Sequence, residues 1–326
     1  AGPVTRSEFE AVLLGIDPHT GAQLARLGGK NVNHAAGWDM TFSAPKSVSV
    51  LWALSDARDR PGIEQAQSSA VAAATSHLER TAAFARRGKG GAVREPTAGL
   101  LLAQFDHHTS RELDPQLHTH VFVFNLAPRH DGTWGAIISR ELYKAQKQAG
   151  AVYREALATE LERAGFRLDR TTDSFRVAAI PRDVERAFSK RRQSIEAAAE
   201  AHGYQSAKGM ELAALRTRQP KRDVSRERLF ESWQSEAGAL GFELARADRR
   251  LGAREIDMRS ALASPSPAAA LSNGSTRSEP LAAAALGKLS AAARSLDQHA
   301  AMPGVAVDLS PRERVARRGF LEHDRS

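Results

Sequence analysis

Residues 117–126 read Leu-His-Thr-His-Val-Phe-Val-Phe-Asn-Leu, a run of alternating and β-branched or aromatic side chains that predicts a strand. Residues 99–105 form a second strand-like run. The polar loop between them, with Ser110, Asp114 and Pro115 as turn formers, folds the pair into an antiparallel hairpin. Around this hairpin lie helical patterns at residues 7–14, 46–54, 64–87, 141–164, 182–201 and 226–240. Ser43 is the expected N-cap of the second of these and Ser225 of the last. Further short strands are expected at 38–42, 167–168 and 175–180. The fold class is therefore α+β: an antiparallel sheet flanked by helices.

The hairpin also carries chemistry. Successive side chains of a strand point to opposite faces, so His118 and His120 share one face. His107 ends the preceding strand, and the turn brings it beside them. Three neutral imidazoles on one face bind a divalent ion and leave positions open for substrate oxygens, as in a catalytic site. His-x-His in a strand also arises by chance, and the pair alone does not decide the matter. His108 faces the other side.

The 326 residues contain no cysteine, which excludes disulfides and thiolate metal sites and leaves imidazole and carboxylate as ligands. This suits a reducing, cytoplasmic compartment, and no apolar run approaches the length of a membrane span. The net charge of +8 favours an anionic partner, nucleic acid ahead of membrane. From about residue 260 the composition shifts to Ala, Ser and Pro, a linker or weakly ordered tail. That tail holds eight basic and six acidic residues, so most of the excess charge lies ahead of it.

Two long motifs carry a resemblance. Gly37-Trp38-Asp39-Met40-Thr41-Phe42-Ser43-Ala44-Pro45-Lys46-Ser47-Val48-Ser49 resembles the second motif of conjugative relaxases of the TrwC/TraI (MobF) type. The run from Phe105 through His107, Asp114-Pro115-Gln116-Leu117 and His118-Thr119-His120 resembles their three-histidine motif. The similarity extends more weakly through Gly150-Ala151-Val152-Tyr153, Phe188-Ser189-Lys190-Arg191 and Thr217-Arg218 to Trp233, covering residues 5–244. It implies an HUH endonuclease: a palm over residues 1–180, a helical part at 181–250 that clasps hairpin and single-stranded DNA at a transfer origin, and a tail at 251–326.

The implied reaction nicks one DNA strand for conjugative transfer, a tyrosine hydroxyl attacking phosphorus while Mg²⁺ or Mn²⁺ polarises the phosphate. His107, His118 and His120 match the metal ligands. Asp39 matches an acid that orients a metal histidine or helps activate the tyrosine. Lys46, at a strand-to-helix junction, and Arg111, inside the hairpin, are candidates for phosphate contact. So are Lys190, Arg191 and Arg192 and the later Arg218 and Lys221, whose alternative reading is a solvated basic surface. Other proteins of the transfer-origin complex are implied as partners.

One departure stands out. The family nucleophile is a tyrosine upstream of the Asp39 motif, and residues 1–38 contain none. The tyrosines are Tyr143, Tyr153 and Tyr204, and Tyr153 has a structural place in the resemblance. Because the chain opens with Ala1, loss of an N-terminal segment is the favoured expectation, leaving these residues without their nucleophile. No phosphate-binding loop of the Gly-x-x-x-x-Gly-Lys-Ser/Thr kind accompanies them. A binding-only relaxase homologue is the alternative reading, with a three-histidine hydrolase of small molecules behind it.

Overall fold

The expected hairpin forms the centre of a three-stranded antiparallel sheet. A computed structural model describes residues 2–24, 35–220 and 222–244. Helix α1 (Arg6–Leu13) leads to β1 (Gly37–Ser43), α2 (Lys46–Leu54) and α3 (Arg60–Ala82). A basic ribbon follows, β2 (Phe84–Arg87) with β3 (Val93–Pro96), and then the hairpin strands β4 (Leu102–Thr109) and β5 (Pro115–Phe124). The chain continues through β6 (Ala127–Pro128), β7 (Trp134–Gly135), α4 (Ser139–Arg163), β8 (Leu168–Arg170) and β9 (Phe175–Val177). Helices α5 (Arg182–Ala187), α6 (Lys190–Ala201), α7 (Ala207–Arg216) and α8 (Arg226–Ala239) complete the described residues.

The sheet order is β1-β5-β4, so β5 is central. One face, bearing Phe42, Leu117, Val121 and Val123, packs into the main core with α2, α3 and α4. The other face is covered at one end by α1, whose Phe9 ring meets Phe105, Phe122 and Phe124 at centroid separations of 5.6, 5.4 and 5.2 Å. The rest of that face carries the histidines. Gly37 sits where β1 crosses this aromatic end: an added Cβ would lie 2.3 Å from the Val123 carbonyl oxygen and 2.6 Å from the Phe122 ring.

Helix α2 is buried along almost its entire length, which explains its apolar sequence. Its polar residues are structural pins. Ser49 Oγ accepts the Leu117 amide at 3.0 Å and Ser47 Oγ accepts the Val177 amide at 3.0 Å, which ties the helix to β5 and β9. Pro45 rather than Ser43 is its N-cap, because Ser43 still pairs with His118 in the β1–β5 ladder.

Several expected boundaries move for local reasons. The long helix ends at Ala82 instead of 87: residues 84–87 pair with Val93–Pro96, and Gly88, Gly90 and Gly91 supply the left-handed turn between them. Strand β4 begins at Leu102 and runs to Thr109, so His107 lies inside the strand rather than at its end. The helix expected over 182–201 breaks at Phe188 and Ser189, where the Phe188 ring is fully buried. Helix α7, capped by Ser206, occupies residues for which no helix was expected. The expected tail lies outside the described residues, as do the Gly-rich residues 25–34. No described helix is long and apolar enough to cross a membrane.

Candidate metal centre and nucleic-acid interface

Register places the three histidines. His107 of β4 pairs directly with His118 of β5, and His120 lies two residues further along the same face. Their ring centroids form a nearly equilateral triangle, 5.3, 5.1 and 5.2 Å apart, with the rings edge to face. One ligand nitrogen from each lies within 4.8 Å of the others. Nitrogens sharing an ion at roughly 2.1 Å stand about 3 Å apart, so small side-chain rotations close the cluster on a metal.

Hydrogen bonds select the nitrogens. His118 Nδ1 faces the Gln116 carbonyl oxygen at 2.9 Å. A carbonyl only accepts, so Nδ1 carries the proton and Nε2 keeps its lone pair. His120 Nδ1 donates to the Asp39 carboxylate at 2.8 Å, with Thr41 Oγ1 3.1 Å away. Burial holds the His118 pKa below its ordinary value, the largest of several influences, and so favours the neutral ring that a metal requires. The donor set therefore fits a divalent ion held by His107, His118 and His120, with Asp39 orienting His120 from β1.

His108 points to the opposite face and stacks on Trp52 at 5.0 Å, its rings nearly parallel. Behind the cluster lies a polar chain that the sequence reading missed. Tyr153 donates to Gln67 Oε1 at 2.6 Å, and Gln67 Nε2 donates to the Phe42 carbonyl and to Thr119 Oγ1, each at 3.2 Å. Thr119 Oγ1 donates to Asp106 at 2.6 Å. Thr119, between the two β5 histidines, is thus gripped from the core side. An apolar helical stripe interrupted by Gln67 was the available signal.

The candidate phosphate contacts divide. Lys46, expected at a phosphate, is half-buried with Nζ 2.9 Å from the Pro115 carbonyl, and burial lowers its pKa. Arg191 bonds the end of α7, its guanidinium reaching the Thr217 carbonyl at 2.8 Å and the Ala214 carbonyl at 2.5 Å. Lys190 pairs with Glu236 at 2.6 Å. Lys46 and Arg191 thus spend their donors on protein carbonyls, whereas Lys190 stays exposed in a surface ion pair. The Arg192 side chain is 71% exposed and, among the described residues, joined only to Glu196, one turn on. Arg111 reaches the Gln219 carbonyl at 3.5 Å, Arg218 is exposed, and Lys221 lies outside the described residues. The β2–β3 ribbon adds exposed Arg86 and Lys89, a basic element hidden in what read as a helix end.

The tyrosines lie elsewhere. Tyr153 is buried behind the sheet, and its pKa is raised by burial. Tyr143 shares α4, which packs on α3 on that same side. Tyr204 stacks on His202 ahead of α7, at 5.4 Å.

An antiparallel sheet presenting three imidazoles, with a carboxylate behind one of them, defines a histidine metal centre on an α+β palm. Residues 1–240 match the TrwC relaxase family model, and the chain belongs to that family. The chain is 33% identical over 267 residues to the multifunctional conjugation protein TraI of Escherichia coli strain K12, an alignment covering 79% of this chain and 15% of TraI. The chain thus spans only a small part of the curated relatives it matches. Among solved structures, the conjugative relaxase TrwC in complex with oriT DNA, metal-bound, superimposes with a TM-score of 0.68 at 34% identity, over 74% of this chain and 84% of that one. TrwC complexed with a 27-mer DNA comprising the recognition hairpin and the cleavage site matches with a TM-score of 0.66 at 35% identity, over 75% and 88%.

Proposed function

We propose that this chain is the relaxase domain of a conjugative transfer system, which nicks one DNA strand at a transfer origin. The observation that carries the reading is the histidine triangle, with Nδ1 of both His118 and His120 occupied so that each Nε2 is available to one ion. His107, His118 and His120 would hold Mg²⁺ or Mn²⁺, which when bound supplies charge neutralisation and polarisation at the scissile phosphate. Asp39 fixes the tautomer of His120. Residues 1–180 serve as the palm and 181–250 as the DNA clasp; Arg192 and Arg218 of the clasp face the phosphate backbone together with Arg111 of the histidine hairpin and Arg86 and Lys89 of the ribbon. The DNA bound is single-stranded with an adjoining hairpin, a reading supported by the relative TrwC, which is complexed with a 27-mer DNA comprising the recognition hairpin and the cleavage site. Other proteins of the transfer-origin complex are proposed partners.

The attacking hydroxyl is the open element. Neither α4 tyrosine belongs to the histidine face, so these residues are expected to bind metal and DNA without forming a protein-linked strand. Two assays test the reading. Calorimetric titration with Mn²⁺ should show one site in the wild type that His118→Ala removes. Anisotropy with a labelled hairpin-bearing single strand should show affinity that falls with salt. Absence of either signal overturns the proposal. A covalent product on a denaturing gel would instead require Tyr143, Tyr153, Tyr204 or a non-tyrosine group as nucleophile.

A further inference from the structure

The tip of the histidine hairpin is gripped from three separate elements. Lys46 Nζ, at the start of α2, donates to the Pro115 carbonyl at 2.9 Å. The Arg191 backbone N–H, in the first turn of α6, donates to Asp114 Oδ2 at 3.0 Å. Trp233 Nε1, on α8, donates to the Leu113 carbonyl at 2.8 Å. Within the turn, Ser110 Oγ donates to the same Asp114 oxygen at 3.2 Å and accepts the Glu112 amide at 3.1 Å. Leu113 adopts a φ of 61°, a conformation that side chains other than glycine rarely hold without such support.

Asp114 is only 1% exposed, and its Oδ1 has no hydrogen-bond partner among the described residues. A turn aspartate with a merely local task would sit in water, because burying a carboxylate is unfavourable unless its bonds hold something in place. What it holds is the joint between α6 and β5, four residues ahead of His118 on a stiff strand. We propose that Asp114 is a positioning residue of the metal centre: it fixes the hairpin tip to the helical half, so that the histidine triangle and the DNA-clasping surface keep one geometry. This rests on the relaxase reading above.

The test compares Mn²⁺ affinity, by calorimetry, and amide hydrogen exchange across residues 117–121. Asp114→Ala should weaken Mn²⁺ binding about tenfold, the lower end of the loss on removing a ligand's own hydrogen-bond partner because Asp114 acts through the strand, and should speed exchange there. Asp114→Asn keeps an acceptor for the Arg191 amide and should stay within about threefold of wild type. Leu161→Ala, a core variant on α4, controls for general loosening and should leave Mn²⁺ affinity unchanged. Should Asp114→Ala fail to fold, Trp233→Phe removes one tip bond while keeping a ring, and should weaken Mn²⁺ binding and speed the same amides. Wild-type affinity in a folded Asp114→Ala, or in Trp233→Phe where that stands in, overturns the positioning role alone. A wild type that binds no Mn²⁺ overturns the metal centre and this role with it.

Discussion

The carboxylate of Asp39 accepts the Nδ1 proton of His120 at 2.8 Å across the β1–β5 ladder. That contact decides which nitrogen His120 turns toward His107 and His118, and it makes β1 part of the metal centre although β1 contributes no ligand.

Asp39→Asn should therefore lower Mn²⁺ affinity by about 10- to 100-fold with the three histidines intact, because an amide can present an N–H where the imidazole needs an acceptor. Calorimetric titration measures it. An affinity within threefold of wild type contradicts the orienting role.

Alkaline stability should depend on Tyr153. Burial raises its folded pKa above the free value, so between the two the native state keeps a proton that the unfolded chain has lost. Its contribution is complete below about pH 10 and declines above that, by about 1.4 kcal/mol per pH unit. Urea melts from pH 9 to 11 should show Tyr153→Phe losing less stability over this range than wild type.

Gln67→Ala leaves Tyr153 and Thr119 without their partner inside the core and opens a cavity. A loss of about 2–4 kcal/mol in urea denaturation is expected. A loss below 1 kcal/mol would mean that water replaces the amide.

Gly37→Ala forces a methyl into the Val123 carbonyl and the Phe122 ring. The β1 end must shift, with a destabilisation of about 1–3 kcal/mol and a weaker Asp39 contact, read as a lower melting temperature together with reduced Mn²⁺ affinity. Wild-type values for both would show that β1 shifts freely.

Arg191 and Arg192, adjacent in sequence, should behave differently. Arg192→Ala should reduce the salt slope of DNA affinity by about one unit, whereas Arg191→Ala should chiefly lower thermal stability by freeing the end of α7. Equal slopes for wild type and Arg192→Ala would show that this arginine is merely solvated.

Local patterns carried much of this structure. Strand alternation put His118 and His120 on one face and His108 on the other, the bounds of α2 followed from its apolar run, and Ser225 capped α8. These depend on a period or on a bond three residues away, which a linear sequence contains. Tertiary structure alone decided what depends on partners distant in the chain. The pairing of residues 84–87 with 93–96 overrode a helical composition, the burial of Phe188 divided one expected helix into two, and Lys46 and Arg191 turned toward Pro115 and α7 while Lys190 stayed exposed beside Glu236. A basic side chain has the same composition whether it meets a phosphate or a carbonyl, and only the packing around it selects between them.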